Sequence, residues 1–190
     1  ISLNPPLTDT RMGTLSTRTT HPHFLTLFGT LLSRLGIGVS LETPYRFITK
    51  GEMISRVKDN AAFRAGVNHT LSCSHPDVGR YQHNSPGQHC GYCFPCLIRR
   101  AALNAAGMDD PAGYLIDIRA NPPARGSDTG RDLRAVEMAI RRFADMRPAQ
   151  HLFEVLSTGP IPSEDINDYV DVYRRGMNEL RQFLRSNATQ

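Results

Sequence analysis

Tryptophan is absent from the 190 residues, and aromatic side chains make up only 7% of them. Stacking platforms for single-stranded nucleic acid are therefore sparse, which argues against that class of partner. No run approaches the roughly 20 apolar residues that a bilayer-spanning helix needs, and no signal peptide is visible. No two glycines are adjacent anywhere, so nothing reads as a glycine-rich backbone nest that would cradle a polyphosphate. Cysteine is scarce too, and its placement is the most informative feature of the chain.

The four cysteines, Cys73, Cys90, Cys93 and Cys96, are spaced C-x16-C-x2-C-x2-C. Three thiols within seven residues and one more across a loop can close a tetrahedral four-sulfur site between 73 and 96, and soft thiolates select Zn2+ over harder cations. A redox C-x-x-C pair and an iron–sulfur cluster are the alternatives. The overlapping run disfavours the redox pair, because its spare thiols would have no role. A site with four protein ligands has no open position for chemistry, so a structural metal is expected, with any reaction beside it. His89, abutting Cys90, reads as a donor to a thiolate rather than a ligand. His69, His75 and His83 line the long loop, where flexibility or partner contact is the simpler reading.

The length fits one domain with an appendage. The chain opens at Ile1 without an initiator Met, inside what reads as a strand, Ile1–Asn4, which predicts a natural start further upstream. Charge is uneven. Residues 1–107 carry 11 Lys and Arg against 5 Asp and Glu, whereas residues 108–190 carry 11 against 13. The basic first part suggests an anionic ligand, nucleotide phosphate or nucleic acid; a merely solvated basic surface explains it equally well. Reduced, metal-bound thiols point to the cytoplasm.

Periodicity predicts an α/β order of elements. Thr20 as cap and Pro22 in the first turn open a helix bearing Phe24, Leu25, Phe28, Leu31, Leu32 and Leu35, which Gly36 stops. A strand is expected from Val39 to Ile48. Thr49-Lys50-Gly51-Glu52 forms a capping box opening a short helix. A further helix is expected over 94–106, ended by Gly107. Beyond a Pro-rich break at 121–126, helices are expected over 128–146, 148–157 and 163–186. The last carries an apolar stripe of Ile166, Tyr169, Val170, Tyr173, Met177, Leu180 and Leu184.

Three positions invite an anion. Arg18, Thr20, His21 and His23 gather where a polar loop meets a helix amino end, which offers unsatisfied N–H groups and a positive dipole. Lys50 sits just inside a capped helix, where its charge opposes the dipole unless an anion is bound; a solvated lysine is the bland alternative. Arg99 and Arg100 follow the last cysteine on a helix, and one could grip a phosphate bidentately.

The segment His89-Cys90-Gly91-Tyr92-Cys93-Phe94-Pro95-Cys96-Leu97-Ile98-Arg99-Arg100, with Ser72-Cys73 before it, resembles the zinc signature of the 7-cyano-7-deazaguanine synthase (QueC) family. Glu42-Thr43-Pro44 and Ile48-Thr49-Lys50-Gly51-Glu52 are similar to its E-T-P and L-x-K-x-E segments. The likeness covers about 1–107, the second half of such an enzyme. It implies the C-terminal part of a PP-loop fold, Rossmann-like and of the adenine nucleotide α-hydrolase type. It also implies ATP and Mg2+ as co-substrates, and a 7-deazaguanine carboxylate that is adenylated and then aminated to an amide and a nitrile. The family's S-G-G-x-D-S loop would precede this chain.

The stretch Leu15-Ser16-Thr17-Arg18-Thr19-Thr20-His21-Pro22-His23 is more similar to the QatC type found in bacterial anti-phage operons. That likeness, and the helical extension at 108–190, leave two products open: the small-molecule amide or nitrile, or a deazaguanine group transferred to a partner protein of the same operon. Two further readings stand beside the enzyme: a zinc-stapled binding module without catalysis, and a nucleic-acid-binding zinc protein.

Overall fold

The computed structural model describes residues 20–83, 87–124 and 126–185. The expected strand Ile1–Asn4 and Arg18 lie outside these residues, as does the side chain of His83. Among the described residues the elements are helical: α1 Pro22–Arg34, α2 Lys50–Val57, α3 Ala61–Gly66, α4 Val78–His83, α5 Phe94–Ala105, α6 Arg131–Asp145, α7 Pro148–Leu156 and α8 Ile166–Arg185. None is long and apolar enough to cross a membrane.

The strand expected at Val39–Ile48 is not formed. The segment runs without regular structure to Thr43 and then turns through 44–47, closed by Arg46 N–H to Thr43 O at 3.2 Å. Alternating apolar residues become a strand only when a neighbour supplies the backbone partners, and none of the described residues does so. The one strand-like contact among the described residues is a parallel bridge between His89 and Tyr114, across the crossover helix α5. An α/β sheet is therefore not seen among the described residues.

The chain divides into two compact units, Ile1–Thr49 with Arg141–Met177, and Lys50–Ile140 with Asn178–Gln190. In the first, Val155, Tyr169 and Val172 form a buried centre against which Phe47, Ile161, Val170 and Tyr173 pack. Phe47 meets Tyr169 edge-on at 5.1 Å. Helix α1 starts at Pro22 as expected, but its cap is His21 rather than Thr20. His21 Nδ1 accepts the His23 N–H at 3.2 Å, and its Nε2 lies 3.2 Å from the Thr158 hydroxyl. A buried ring with two partners serves here in place of the shorter threonine. The apolar stripe of α1 stays largely uncovered, with Phe24, Leu27, Phe28, Leu31 and Leu35 all exposed.

In the second unit α2 packs on α5, and Leu97, Ala101, Ala102, Leu133, Val136, Leu180 and Phe183 are buried. Gly107 takes φ +70° just past α5, a left-handed stop that favours glycine. The α8 stripe holds at Tyr169, Met177 and Leu180, but Val172 and Phe183 complete it where Leu184 was expected.

His151 is buried between Phe143 and Tyr173, and its Nδ1 has no hydrogen-bond partner. Burial, and then Arg174, hold the imidazole below its ordinary 6.5, while Glu154 works weakly the other way. The folded state thus binds fewer protons than the unfolded one, so stability is full above about pH 6.5 and falls as pH drops below it. Thermal melts from pH 8 to pH 5.5 should show a smaller acid-side loss for His151→Phe than for the parent. Equal losses would contradict this reading.

Candidate metal centre

The four sulfurs of Cys73, Cys90, Cys93 and Cys96 all lie within 4.8 Å of one another, and the last three residues are buried. Cys73 Sγ is 3.9 Å from Cys93 Sγ, and Cys90 Sγ is 3.9 Å from Cys96 Sγ. A tetrahedral ion with bonds near 2.3 Å to sulfur sets its ligands about 3.8 Å apart. A disulfide would need about 2.05 Å. The spacing therefore fits a metal such as zinc and excludes a cystine.

The backbone is arranged to receive anionic sulfur. His75 N–H and Cys90 N–H both donate to Cys73 Sγ at 3.3 Å, Cys93 N–H to Cys90 Sγ at 3.4 Å and Ser74 N–H to Cys93 Sγ at 3.5 Å. Without a cation the thiols cannot all ionise. Hydrogen bonds from Cys90, Cys93 and Cys96 lower the Cys73 thiol, while the closeness of Cys73 is the largest influence raising those of Cys90 and Cys96. A divalent ion removes that conflict by compensating several thiolates at once.

The histidines sit beside the sulfurs rather than in place of one. His89 Nε2 donates to the Thr70 carbonyl at 3.0 Å, which puts the proton on Nε2 and leaves the Nδ1 that faces Cys96 Sγ at 3.8 Å without one, so His89 is not the donor to a thiolate that the sequence suggested. Burial lowers the His89 imidazole against the opposing pull of that Thr70 bond. His75 stacks on Tyr92 with its Nδ1 4.0 Å from Cys90 Sγ.

Gly91 shows why the knuckle carries glycine. Its φ is +88°, and a Cβ there would stand 2.1 Å from the Ile116 carbonyl oxygen. Residues 114–116 run beside 89–91, with Leu115 N–H to His89 O at 2.9 Å and Ile116 N–H to Cys90 O at 3.2 Å.

The basic residues expected to meet an anion are placed differently from one another. Arg100 is fully buried. Its guanidinium binds Asp109 at 2.9 Å and Asp117 at 2.7 Å, and lies over the Tyr114 and Phe183 rings at 4.8 and 5.1 Å. Burial alone would lower it, but the two carboxylates raise it above the ordinary arginine value. Arg99 is half-buried and donates to the Thr70 hydroxyl at 2.8 Å and to the Val67 carbonyl. Lys50 is exposed, yet desolvation by surrounding protein, and then Arg99, lower its amine. Thr20 and His23 face solvent and His21 is buried; these three belong to the first unit, while the cysteines, Lys50, Arg99 and Arg100 belong to the second.

Four carboxylates escaped the sequence reading. Glu179 Oε2 accepts the Gly51 N–H at 3.3 Å, filling the α2 amino end where an anion was expected. Asp132 Oδ2 accepts the Phe94 N–H at 2.7 Å at the amino end of α5. Asp109 and Asp117 neutralise Arg100. All four lie in residues 108–190, whose excess of acid over base was the only signal.

Gly91→Ala should cost about 3 kcal/mol or more, since left-handed strain alone is worth about 1–3 kcal/mol and the Ile116 carbonyl must also move. Urea unfolding would measure it, with Gly113→Ala, which meets open space, as control. Equal stability of the two variants would refute the assignment.

Residues 20–107 match the family described as QueC, queuosine biosynthesis protein QueC. The chain is 32% identical over 96 residues to the 7-cyano-7-deazaguanine synthases of Brucella ovis, Brucella canis and Brucella suis, covering 49% of this chain and 36% of each relative. It thus spans about a third of the length of the curated relatives that it matches. No solved structure matches it. Over the segment that carries the four cysteines, this chain is QueC-like.

Proposed function

We propose that this chain contributes the zinc-bearing part of a QueC-like, ATP-dependent enzyme that adenylates a 7-deazaguanine carboxylate. The observation that carries the proposal is the coincidence of the QueC match over 20–107 with a four-sulfur cluster of zinc dimensions inside it. Cys73, Cys90, Cys93 and Cys96 would hold Zn2+. With four protein ligands, that ion supplies folding energy and rigidity rather than a bound water.

ATP and Mg2+ are the co-substrates of the proposed reaction, and the residues that would hold the triphosphate are not among those described. Of the residues expected near an acidic ligand, Thr20 and His23 reach solvent in the first unit and Lys50 in the second, and we keep each, with Arg18, as a candidate contact within its own unit. Arg99 acts beside Lys50. His21 and Arg100 act as supports, the one capping α1 and the other neutralised by aspartates. Residues 1–107 carry the family-like part, and 108–190 an appended helical part. The acceptor is ammonia or, as in the anti-phage QatC reading, an amine of a partner protein in the cytoplasm.

A non-catalytic module stapled by zinc is the second reading, favoured by the exposed apolar residues of α1, which suit a protein partner.

Metal analysis of the purified chain should return about one zinc per polypeptide, and Cys93→Ser should lower both zinc content and melting temperature. A well-folded, metal-free protein would refute the metal assignment. The full-length protein, given ATP, Mg2+ and a deazaguanine carboxylate, should release pyrophosphate. Silence with every such carboxylate, from protein that holds its zinc, would favour the module.

A further inference from the structure

We infer that Asp132 is a positioning residue for the four-cysteine centre, holding the turn between Cys93 and Cys96 so that metal capture and the seating of the first turn of α6 are one event. The inference rests on the metal reading above and extends it to a residue outside the matched segment.

Cys93 has two competing tasks. It is the N-cap residue of α5, with φ −72° and ψ 158°, but its side chain makes no capping bond. A capping residue ordinarily turns an oxygen back to the first free N–H groups of its helix. Cys93 cannot do so, because its sulfur faces the other three and accepts from Ser74 N–H. The next residue but one, Pro95, has no N–H to satisfy. The Phe94 N–H is therefore the first donor of α5, and it lies between two ligands.

Asp132 answers that donor from 38 residues away, at 2.7 Å. The bond is short, as expected of a carboxylate acceptor. Asp132 is also in the first turn of α6, so a single carboxylate serves the positive ends of two helices. Its neighbours Leu133 and Val136 are buried, which fixes the carboxylate in space. On the other side of the same knuckle, Ile116 N–H holds the Cys90 carbonyl at 3.2 Å. The peptide between the ligands is thus gripped from both flanks by residues beyond 107, where the family match ends.

A carboxylate beside a four-thiolate site could act through charge, which would weaken retention of the anionic cluster, or through geometry, which would strengthen it. The 2.7 Å bond to backbone points to geometry. Asparagine keeps an acceptor oxygen in that place without the charge, so it separates the two.

The test uses the whole chain and Zn2+ or Co2+ alone. Zinc affinity is measured by competition with a chromophoric chelator, and the cobalt form by its ligand-field absorption. Asp132→Ala should bind zinc about 10-fold or more weakly, the scale on which groups behind metal ligands act, and should alter the cobalt spectrum. Asp132→Asn should stay within about 3-fold of the parent, on that same scale. Val155→Ala removes packing from the buried centre of the other unit without touching α6 or Phe94, so it should melt earlier yet keep the parent's spectrum and affinity. Parental affinity and spectrum in Asp132→Ala, or an equal loss of affinity in Val155→Ala, would overturn the inference. If the unaltered chain takes up neither ion, it is the metal reading that fails.

Discussion

Four sulfurs confined within 4.8 Å are a constraint before they are a site. As thiolates they repel, and as thiols they offer poor hydrogen bonds, so the surrounding chain has to be organised around whichever state it keeps. Here it is organised for charge. Backbone N–H groups converge on the sulfurs from Ser74, His75, Cys90 and Cys93, and Gly91 takes a conformation that brings the Ile116 backbone against the turn. The helix that follows then starts at the turn itself, which places Leu97 and Ala101 inward and Arg100 in the interior.

The interior position of Arg100 determines much of what surrounds it. A guanidinium with no exposure needs carboxylates at bonding distance, and removing one partner of such a pair typically costs about 3–5 kcal/mol. Asp109 and Asp117 supply them, with Arg119 reaching Asp109 at 3.3 Å from outside. Tyr114, between the two aspartates in sequence, lies against the guanidinium and pairs with His89. The cysteine knuckle, the buried cation and the loop 109–119 are consequently one cooperative piece.

What was legible in the sequence was local. The knuckle, the Pro22 start of α1, the Gly107 stop and the extents of α5 and α7 follow from neighbours a few residues apart. What was not legible depended on distant partners. Arg100 looked like an anion receptor because its own helix showed positive charge in need of a counterpart, which came from Asp109 and Asp117; the amino end of α2 likewise took its acceptor from the distant Glu179, at the Gly51 N–H. Val39–Ile48 had the alternation of a strand but, among the described residues, no neighbour to pair with. The α1 stripe was correctly read as amphipathic, but period alone says nothing of what covers it. The cap shifted from Thr20 to His21 because the imidazole could reach Thr158 as well.

The buried guanidinium also bears on how the polypeptide can be divided. A shortened version stopping where the family likeness stops would keep every sulfur and lose both counter-ions of Arg100. It would also lift Tyr114 and Phe183 from over the guanidinium, opening the interior around α5 to water, and leave two helix ends uncapped. Homology alone would recommend that cut, and the packing around α5 argues against it.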